Sequence, residues 1–122
     1  MSKVLLIEDD TSIATLYKTE LEIRGHTLQL LTEGSNVVET AAKFQPDLII
    51  LDIQLPSKDG LSILKELKED SRTSGFKVIM LTNYATDENI DKALALGAED
   101  FIPKHRIVPE ELGEKVDSLL KH

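Results

Sequence analysis

Four places along the 122-residue chain carry side chains that can do chemistry, and each follows directly on an apolar run. Glu8-Asp9-Asp10 follow Val4-Leu5-Leu6-Ile7, and Asp52 closes Leu48-Ile49-Ile50-Leu51. Thr82 closes Val78-Ile79-Met80-Leu81, and Lys104 follows Phe101-Ile102-Pro103. Taken singly, each has an ordinary structural reading: the acids as turn residues or helix caps, the threonine as a strand former, the lysine as a solvated cation. Together they mean more. Carboxylates within a few Å of one another repel, so one is protonated or a cation settles among them. An all-oxygen donor set suits a hard divalent ion, most naturally Mg2+. The chain has no cysteine, and His26, His105 and His122 are scattered, so no softer metal or thiol chemistry has a set of ligands. A carboxylate beside a cation, a lysine and a hydroxyl is suited to phosphoryl transfer.

Whether these groups meet depends on the elements that carry them. Strand-like runs over 3–8, 26–31, 47–52, 77–82 and 100–103 alternate with segments of helical spacing. Ile13, Leu16, Tyr17 and Leu21 fall on one face of the first helix, with Gly25 placed as its stop. Ser35 is placed to cap a second helix carrying Val38, Ala41 and Ala42, which ends before Pro46. Leu61, Leu64 and Leu67 mark a third. Thr86 is placed to cap a fourth, with Ile90, Ala93 and Leu94, closed by Gly97. Pro109 opens the last at a favoured first position, with Glu110 and Glu111 at its positive end and Leu112, Val116, Leu119 and Leu120 inward.

Five strand–helix repeats imply a parallel α/β sheet covered on both faces. The first, third and fourth strands are continuous apolar runs, as central strands require. His26-Thr-Leu-Gln-Leu-Leu is broken by polar residues, and the fifth strand holds Pro103, so these two belong at the edges. The expected fold is a doubly wound, five-stranded (βα)5 three-layer sandwich of the flavodoxin-like kind, strand order 2-1-3-4-5. In such sheets ligands bind at the carboxyl ends of the strands, beside the point where the order reverses. Glu8, Asp9, Asp52, Thr82 and Lys104 all lie at those ends.

Composition sets the limits. A chain of 122 residues with 41% hydrophobic and 30% charged positions fits one compact domain, here 1–122, stable without a disulfide or structural metal. A net charge of −8 argues against nucleic acid or an anionic membrane surface as the partner of this domain. The opening apolar run is too short for a signal peptide and is stopped by acids, so the expected location is cytoplasmic.

With these pieces in order, the sequence resembles the receiver domain of two-component response regulators over essentially its full length. The matching segments are Val4–Asp10, Asp47–Pro56, Gly60, Val78–Thr82, Gly97-Ala98 and Phe101–Lys104. The resemblance implies that Asp52 accepts a phosphoryl group from a phosphohistidine on a histidine kinase or histidine phosphotransfer protein. It implies that Asp9 ligates Mg2+ directly, that Glu8 holds it through water, and that the Gln54 carbonyl completes the protein ligands. Thr82 and Lys104 would bind oxygens of the new phosphoryl group. Thr82 and the aromatic Phe101 would then switch the face of helix four, strand five and helix five toward a downstream protein target. Direct succession from Ile7 assigns Glu8 and Asp9 to the two-acid motif and leaves Asp10 as a loop or cap residue. The first helix, near Asp9, is by the same likeness the kinase-docking element.

The chain departs from the pattern in places. His105 stands after Lys104 where a cis proline is usual, which bears on the path into the last helix. Asn83 stands where a very small residue is usual. In that family the positions two beyond Asp52 and two beyond Thr82 flank the path of a hydrolytic water; here they hold Gln54 and Tyr84, and a bulky Tyr84 is expected to lengthen the life of the acyl phosphate. Phe101 lacks a hydroxyl, so its coupling is through packing.

Other functions fit less well. A haloacid-dehalogenase-type phosphatase needs a second Asp two residues after the nucleophile, where Gln54 stands. Flavodoxin-like and dinucleotide-binding modules need a Gly- or hydroxyl-rich phosphate loop after the first strand, where Glu8-Asp9-Asp10 repel phosphate. The alternative that keeps the fold is a pseudo-receiver that is never phosphorylated and acts as an interaction module. The expectation is no enzyme in the ordinary sense, since the domain catalyses only its own phosphorylation and slow dephosphorylation. It is also a single receiver with no output domain in this chain.

Overall fold

A computed structural model describes residues 2–120 apart from 57, 84, 85, 105 and 106. Five strands, β1 (Lys3–Ile7), β2 (Thr27–Leu31), β3 (Leu48–Leu51), β4 (Lys77–Thr82) and β5 (Asp100–Pro103), alternate with five helices. These are α1 (Thr11–Ile23), α2 (Val37–Phe44), α3 (Gly60–Glu69), α4 (Asp87–Ala95) and α5 (Pro109–Leu119). All strand pairings are parallel, in the order β2-β1-β3-β4-β5. The expected doubly wound α/β sandwich is thus the observed one, with the polar-broken strand and the proline-bearing strand at the edges.

The strand sequences build two cores, because successive side chains of a strand point to opposite faces. Leu5, Ile7, Ile49, Leu51, Val78 and Met80 turn toward α2, α3 and α4, where they meet Val37, Ala41, Ile63, Leu64, Leu67 and Ala93. Val4, Leu6, Leu48, Ile50, Ile79 and Leu81 turn toward α1 and α5, where they meet Ala14, Tyr17, Leu21, Leu112 and Val116. Full burial of one such side chain is worth about 1.5–3 kcal/mol, so the three central strands anchor the sheet whose ends carry the candidate residues.

Helix starts follow local chemistry. Asp10 caps α1, its carboxylate accepting from the N–H groups of Ser12 at 3.0 Å and Ile13 at 3.1 Å. Asp59 caps α3 through Leu61 N at 3.0 Å, and Thr86 caps α4 through Asn89 N at 3.1 Å. The expected Ser35 cap differs: Ser35 is bound by the Glu33 carboxylate through both its hydroxyl and its N–H, and Asn36 stands at the start of α2. Leu16 also differs. The buried face of α1 is Ala14, Tyr17 and Leu21, and Leu16 lies off it, 58% exposed. Leu94 is likewise turned out of α4 at 49%. Gly25 and Gly97, expected as helix stops, adopt φ +94° and +104°, where a Cβ is strained.

Candidate functional site

The register of the sheet sets the site. Ile7 of β1 lies opposite Leu51 of β3, so the next residues, Glu8 and Asp52, emerge side by side at the carboxyl edge. Strands in a sheet are about 4.8 Å apart, which is the spacing at which two acids interact strongly. The backbone N–H of Glu8 is held by Leu31 O at 2.9 Å and that of Asp52 by Ile7 O at 3.3 Å. Thr82 ends β4, pairs in register with Pro103, and is fully buried. Lys104 follows Pro103 directly.

Lys104 ties the site together. Its ammonium donates to Asp52 Oδ2 at 2.9 Å and to Glu8 Oε1 in a shorter contact, with all three side chains buried. The second Glu8 oxygen accepts from the N–H of Asp10 at 3.2 Å. Asp9 is exposed, and ligand atoms of Glu8, Asp9 and Asp52 lie within 4.8 Å of one another. Asp9 and Asp52 open, with Gln54, Leu55 and Pro56, into a cavity of about 450 Å³. Burial raises the Glu8 carboxyl above its usual 4.5 and outweighs the opposing bond from Lys104. Burial alone would lower the Lys104 ammonium, but bonds to Glu8 and Asp52 outweigh it and hold it above the usual 10.5.

Gly60 makes this packing possible. A Cβ at Gly60 would fall 2.6 Å from Ile53 Cα, 2.8 Å from the carbonyl carbon of Asp52, and inside hard contact with the Asp52 oxygen. Gly60 N donates to Ile53 O at 2.5 Å, and a single antiparallel bridge between Gln54 and Asp59 closes the loop. The start of α3 is therefore pressed against the backbone of Asp52, with the Gln54 N–H 3.4 Å from Asp52 Oδ1.

Residues 4–117 match the family model of the response regulator receiver domain. The chain belongs to that family. The receiver is 36% identical over 121 residues to the alkaline phosphatase synthesis transcriptional regulatory protein PhoP of Bacillus subtilis, covering 98% of this chain and 48% of that protein. It is 35% identical over 121 residues to the DNA-binding dual master transcriptional regulator RpaA of Synechocystis, covering 99% of this chain and 50% of that protein. The receiver spans about half the length of both relatives. Among solved structures it is similar to a CheY-like response regulator receiver domain protein from Methanospirillum hungatei. The two share 29% identity and a TM-score of 0.89 over 97% of this chain and 92% of that one. It is thus a module of the two-component kind.

A divalent ion fits what the receiver presents. Glu8, Asp9 and Asp52 carry three negative charges and Lys104 one positive, leaving −2 among oxygen donors. A net charge of that sign among oxygen donors suits a hard divalent cation.

Glu8, Asp9, Asp52, Gln54, Thr82, Phe101 and Lys104 lie within the described residues, and Glu8, Asp9, Asp52, Thr82 and Lys104 gather at one edge. Phe101 stands on β5 opposite Met80, half-buried against the α3–α4 core, and Asn83 is exposed. Tyr84 and the Lys104–His105 peptide bond lie outside the described residues. Two features escaped sequence reading. One is the Glu8–Lys104 contact, between residues 96 positions apart. The other is Tyr17, legible only as a core position. Burial raises its phenol above the usual 10.0, the charge of Lys104 opposes that rise, and those of Glu8 and Asp52 add to it, so it sits within electrostatic reach of the site. Among the described residues, no helix is long and apolar enough to cross a membrane.

Proposed function

We propose that this receiver takes a phosphoryl group onto Asp52 from a phosphohistidine of a histidine kinase or histidine phosphotransfer protein. The observation that carries the reading is the buried Lys104 ammonium on Asp52 Oδ2, at the edge of a cavity into which Asp52 and Asp9 open. With Oδ2 held by Lys104, Oδ1 is the nucleophile: its bond to phosphorus forms as the phosphorus–nitrogen bond to the donor histidine breaks. Lys104, already at the carboxylate, follows the charge onto the phosphoryl oxygens, and buried Thr82 supplies a hydroxyl donor to another. Glu8, Asp9, Asp52 and the Gln54 carbonyl would hold Mg2+, which when bound adds positive charge against the phosphoryl oxygens. The same groups turn over no separate substrate, so the module acts on itself rather than as an enzyme.

A new charge of about −2 at Asp52 draws Thr82 and, by packing, Phe101 inward. This favours a second arrangement of the face made by α4, β5 and α5, through which a protein target reads the state. Residues 1–122 act as one receiver domain in the cytoplasm. Nucleic acid is not its own partner, because a net charge of −8 repels a phosphate backbone.

The test is intact mass after incubation with acetyl phosphate or phosphoramidate, with Mg2+ or EDTA, on wild type and Asp52→Asn. A gain of about 80 Da, one phosphoryl unit, that needs both Mg2+ and Asp52 is the expected result. No adduct, together with no spectral response to beryllofluoride, would leave a receiver-shaped interaction module.

A further inference from the structure

Tyr17 is a buried polar group that the mechanism above does not use. It is 5% exposed, in the core layer that α1 and α5 build against the sheet. Leu6, Ile50 and Ile102 belong to the same layer. Each of them stands two positions before a site residue: Leu6 before Glu8, Ile50 before Asp52 and Ile102 before Lys104. Side chains two apart along a strand share a face, so the three groups joined by the Lys104 ammonium continue the face that Tyr17 covers. The polarity of α1 sets which way the phenol leans. The N-terminus of α1 lies at the site, because Asp10 both caps the helix and gives its N–H to Glu8. Long side chains of a helix lean back toward its N-terminus, and for Tyr17 that direction is the carboxyl edge of the sheet. Its acidity agrees. Burial raises the phenol most, and the charge acting on it next most strongly is that of Lys104, ahead of those of Glu8 and Asp52.

Two hydrogen-bonding capacities in this layer are left over. A lysine ammonium has three hydrogens, and Lys104 gives one to Glu8 and one to Asp52. Among the described residues, nothing else accepts from it. The Tyr17 hydroxyl has no hydrogen-bond partner among the described residues either, although a buried tyrosine hydroxyl normally finds one.

We propose that Tyr17 is a positioning residue for Lys104, its hydroxyl accepting, through one water, the ammonium hydrogen that neither carboxylate takes. The inference rests on the phosphoacceptor reading above for what the link does, and not for the link itself. One water between a buried donor and a buried acceptor satisfies both. The link holds the ammonium from the side away from Asp52. Lys104 then turns from Asp52 Oδ2 to an incoming phosphoryl oxygen without leaving the site, so the hydroxyl acts on the transfer through Lys104 and touches no reacting atom.

The test follows the Lys104 ammonium by NMR in the full chain labelled with 15N-lysine, in EDTA. The rate of Asp52 phosphorylation by phosphoramidate in Mg2+ is read alongside it by intact mass. In wild type the Lys104 ammonium should be protected from exchange with solvent and show an Overhauser contact to the Tyr17 ring. Tyr17→Phe, which removes one oxygen, should keep the wild-type urea midpoint, shift the Lys104 resonance and speed its hydrogen exchange. The Lys68 and Lys77 ammoniums, held on Phe76 O at 2.8 Å and Leu119 O at 3.0 Å, should not move, which separates a link to Lys104 from a general loosening of the core. The maximal phosphorylation rate should fall about 5-fold with half-saturating phosphoramidate unchanged. In a Lys104→Met background, Tyr17→Phe should cost no further rate. An unmoved Lys104 resonance or an unchanged rate in Tyr17→Phe would overturn the proposal. So would equal movement of Lys68 and Lys77, additive losses of rate, or no Overhauser contact in wild type. Failure of wild type itself to form an adduct sinks only the phosphoacceptor reading, and the Lys104 resonance still decides the link.

Discussion

The guanidinium of Arg24 lies in the notch that Gly113 leaves in α5. From there it reaches Asp117 Oδ2 at 2.8 Å and Glu110 O at 3.2 Å, while its Nε holds Glu20 at 2.8 Å. His26 approaches the other Asp117 oxygen at 2.7 Å. A Cβ at Gly113 would sit 2.7 Å from Arg24 Cδ and 2.8 Å from Cζ, so α1 and α5 are joined through a gap one methyl group wide.

Gly113→Ala is therefore expected to push Arg24 off Asp117 without unfolding the receiver, because the atoms in the way belong to a flexible side chain. Alanine in a helix interior gains about 1 kcal/mol over glycine, which offsets the lost contacts and leaves net stability close to wild type. The sharper sign is non-additivity. Asp117→Asn should lower the urea midpoint in the wild type and do so much less in a Gly113→Ala background. Additive effects would mean that Arg24 does not occupy the notch.

Gly60→Ala behaves differently, because its clash is with the backbone of Asp52 and Ile53 rather than with a side-chain tip. Neither can move without disturbing the end of β3. A cost of about 3 kcal/mol, at the upper end for overpacking, is expected in urea unfolding. The phosphoryl adduct should be lost or slowed by at least 10-fold. A variant of full stability and full phosphorylation would show that the approach of α3 to Asp52 is not needed.

The strands were legible because a strand buried on both faces must be apolar at every position, and Leu48–Leu51 and Val78–Leu81 are. The site was legible because Glu8, Asp9, Asp52, Thr82 and Lys104 each close or follow a strand, and a parallel sheet puts those ends at one edge. What was hidden depended on side-chain reach. Ser35 looked like a cap, but Glu33 two residues earlier captures it. Leu16 fitted a helical spacing, yet one helix position of rotation takes it from the core to solvent. The Lys104–Glu8 contact joins opposite ends of the chain, and the length of a glutamate decides it.

Glu8 carries a pH dependence whose sign follows from burial. Its carboxyl is raised above 4.5 in the folded receiver, so the protonated form is favoured by folding. Stability from this group is present below the unfolded value and is lost as pH rises through the folded one. In EDTA, Glu8→Gln should therefore gain on wild type as pH climbs above about 4.5, and the difference should level off once Glu8 is ionised in both states. The urea midpoint of both proteins between pH 4 and pH 8 measures it. A difference constant across that range, or one growing toward acid, would mean that the bond from Lys104 outweighs burial.

Lys104→Met removes the buried ammonium that touches both Glu8 and Asp52. Two buried carboxylates then face each other beside Asp9, within 4.8 Å, with no ammonium between them. Breaking a buried ion pair from one side costs about 3–5 kcal/mol, and proton uptake by raised carboxyls returns part of that, so a loss of about 2–3 kcal/mol in EDTA at pH 7 is expected. Because the three acids remain, a divalent ion has more repulsion to relieve than in the wild type. Added Mg2+ should raise the urea midpoint of the variant by more than it raises that of the wild type, and Asp9→Asn in the same background should cancel the gain. If Lys104→Met were as stable as wild type in EDTA, the ammonium would not be what holds Glu8 and Asp52 together. If Mg2+ raised both midpoints equally, the ion would be binding somewhere other than among these carboxylates.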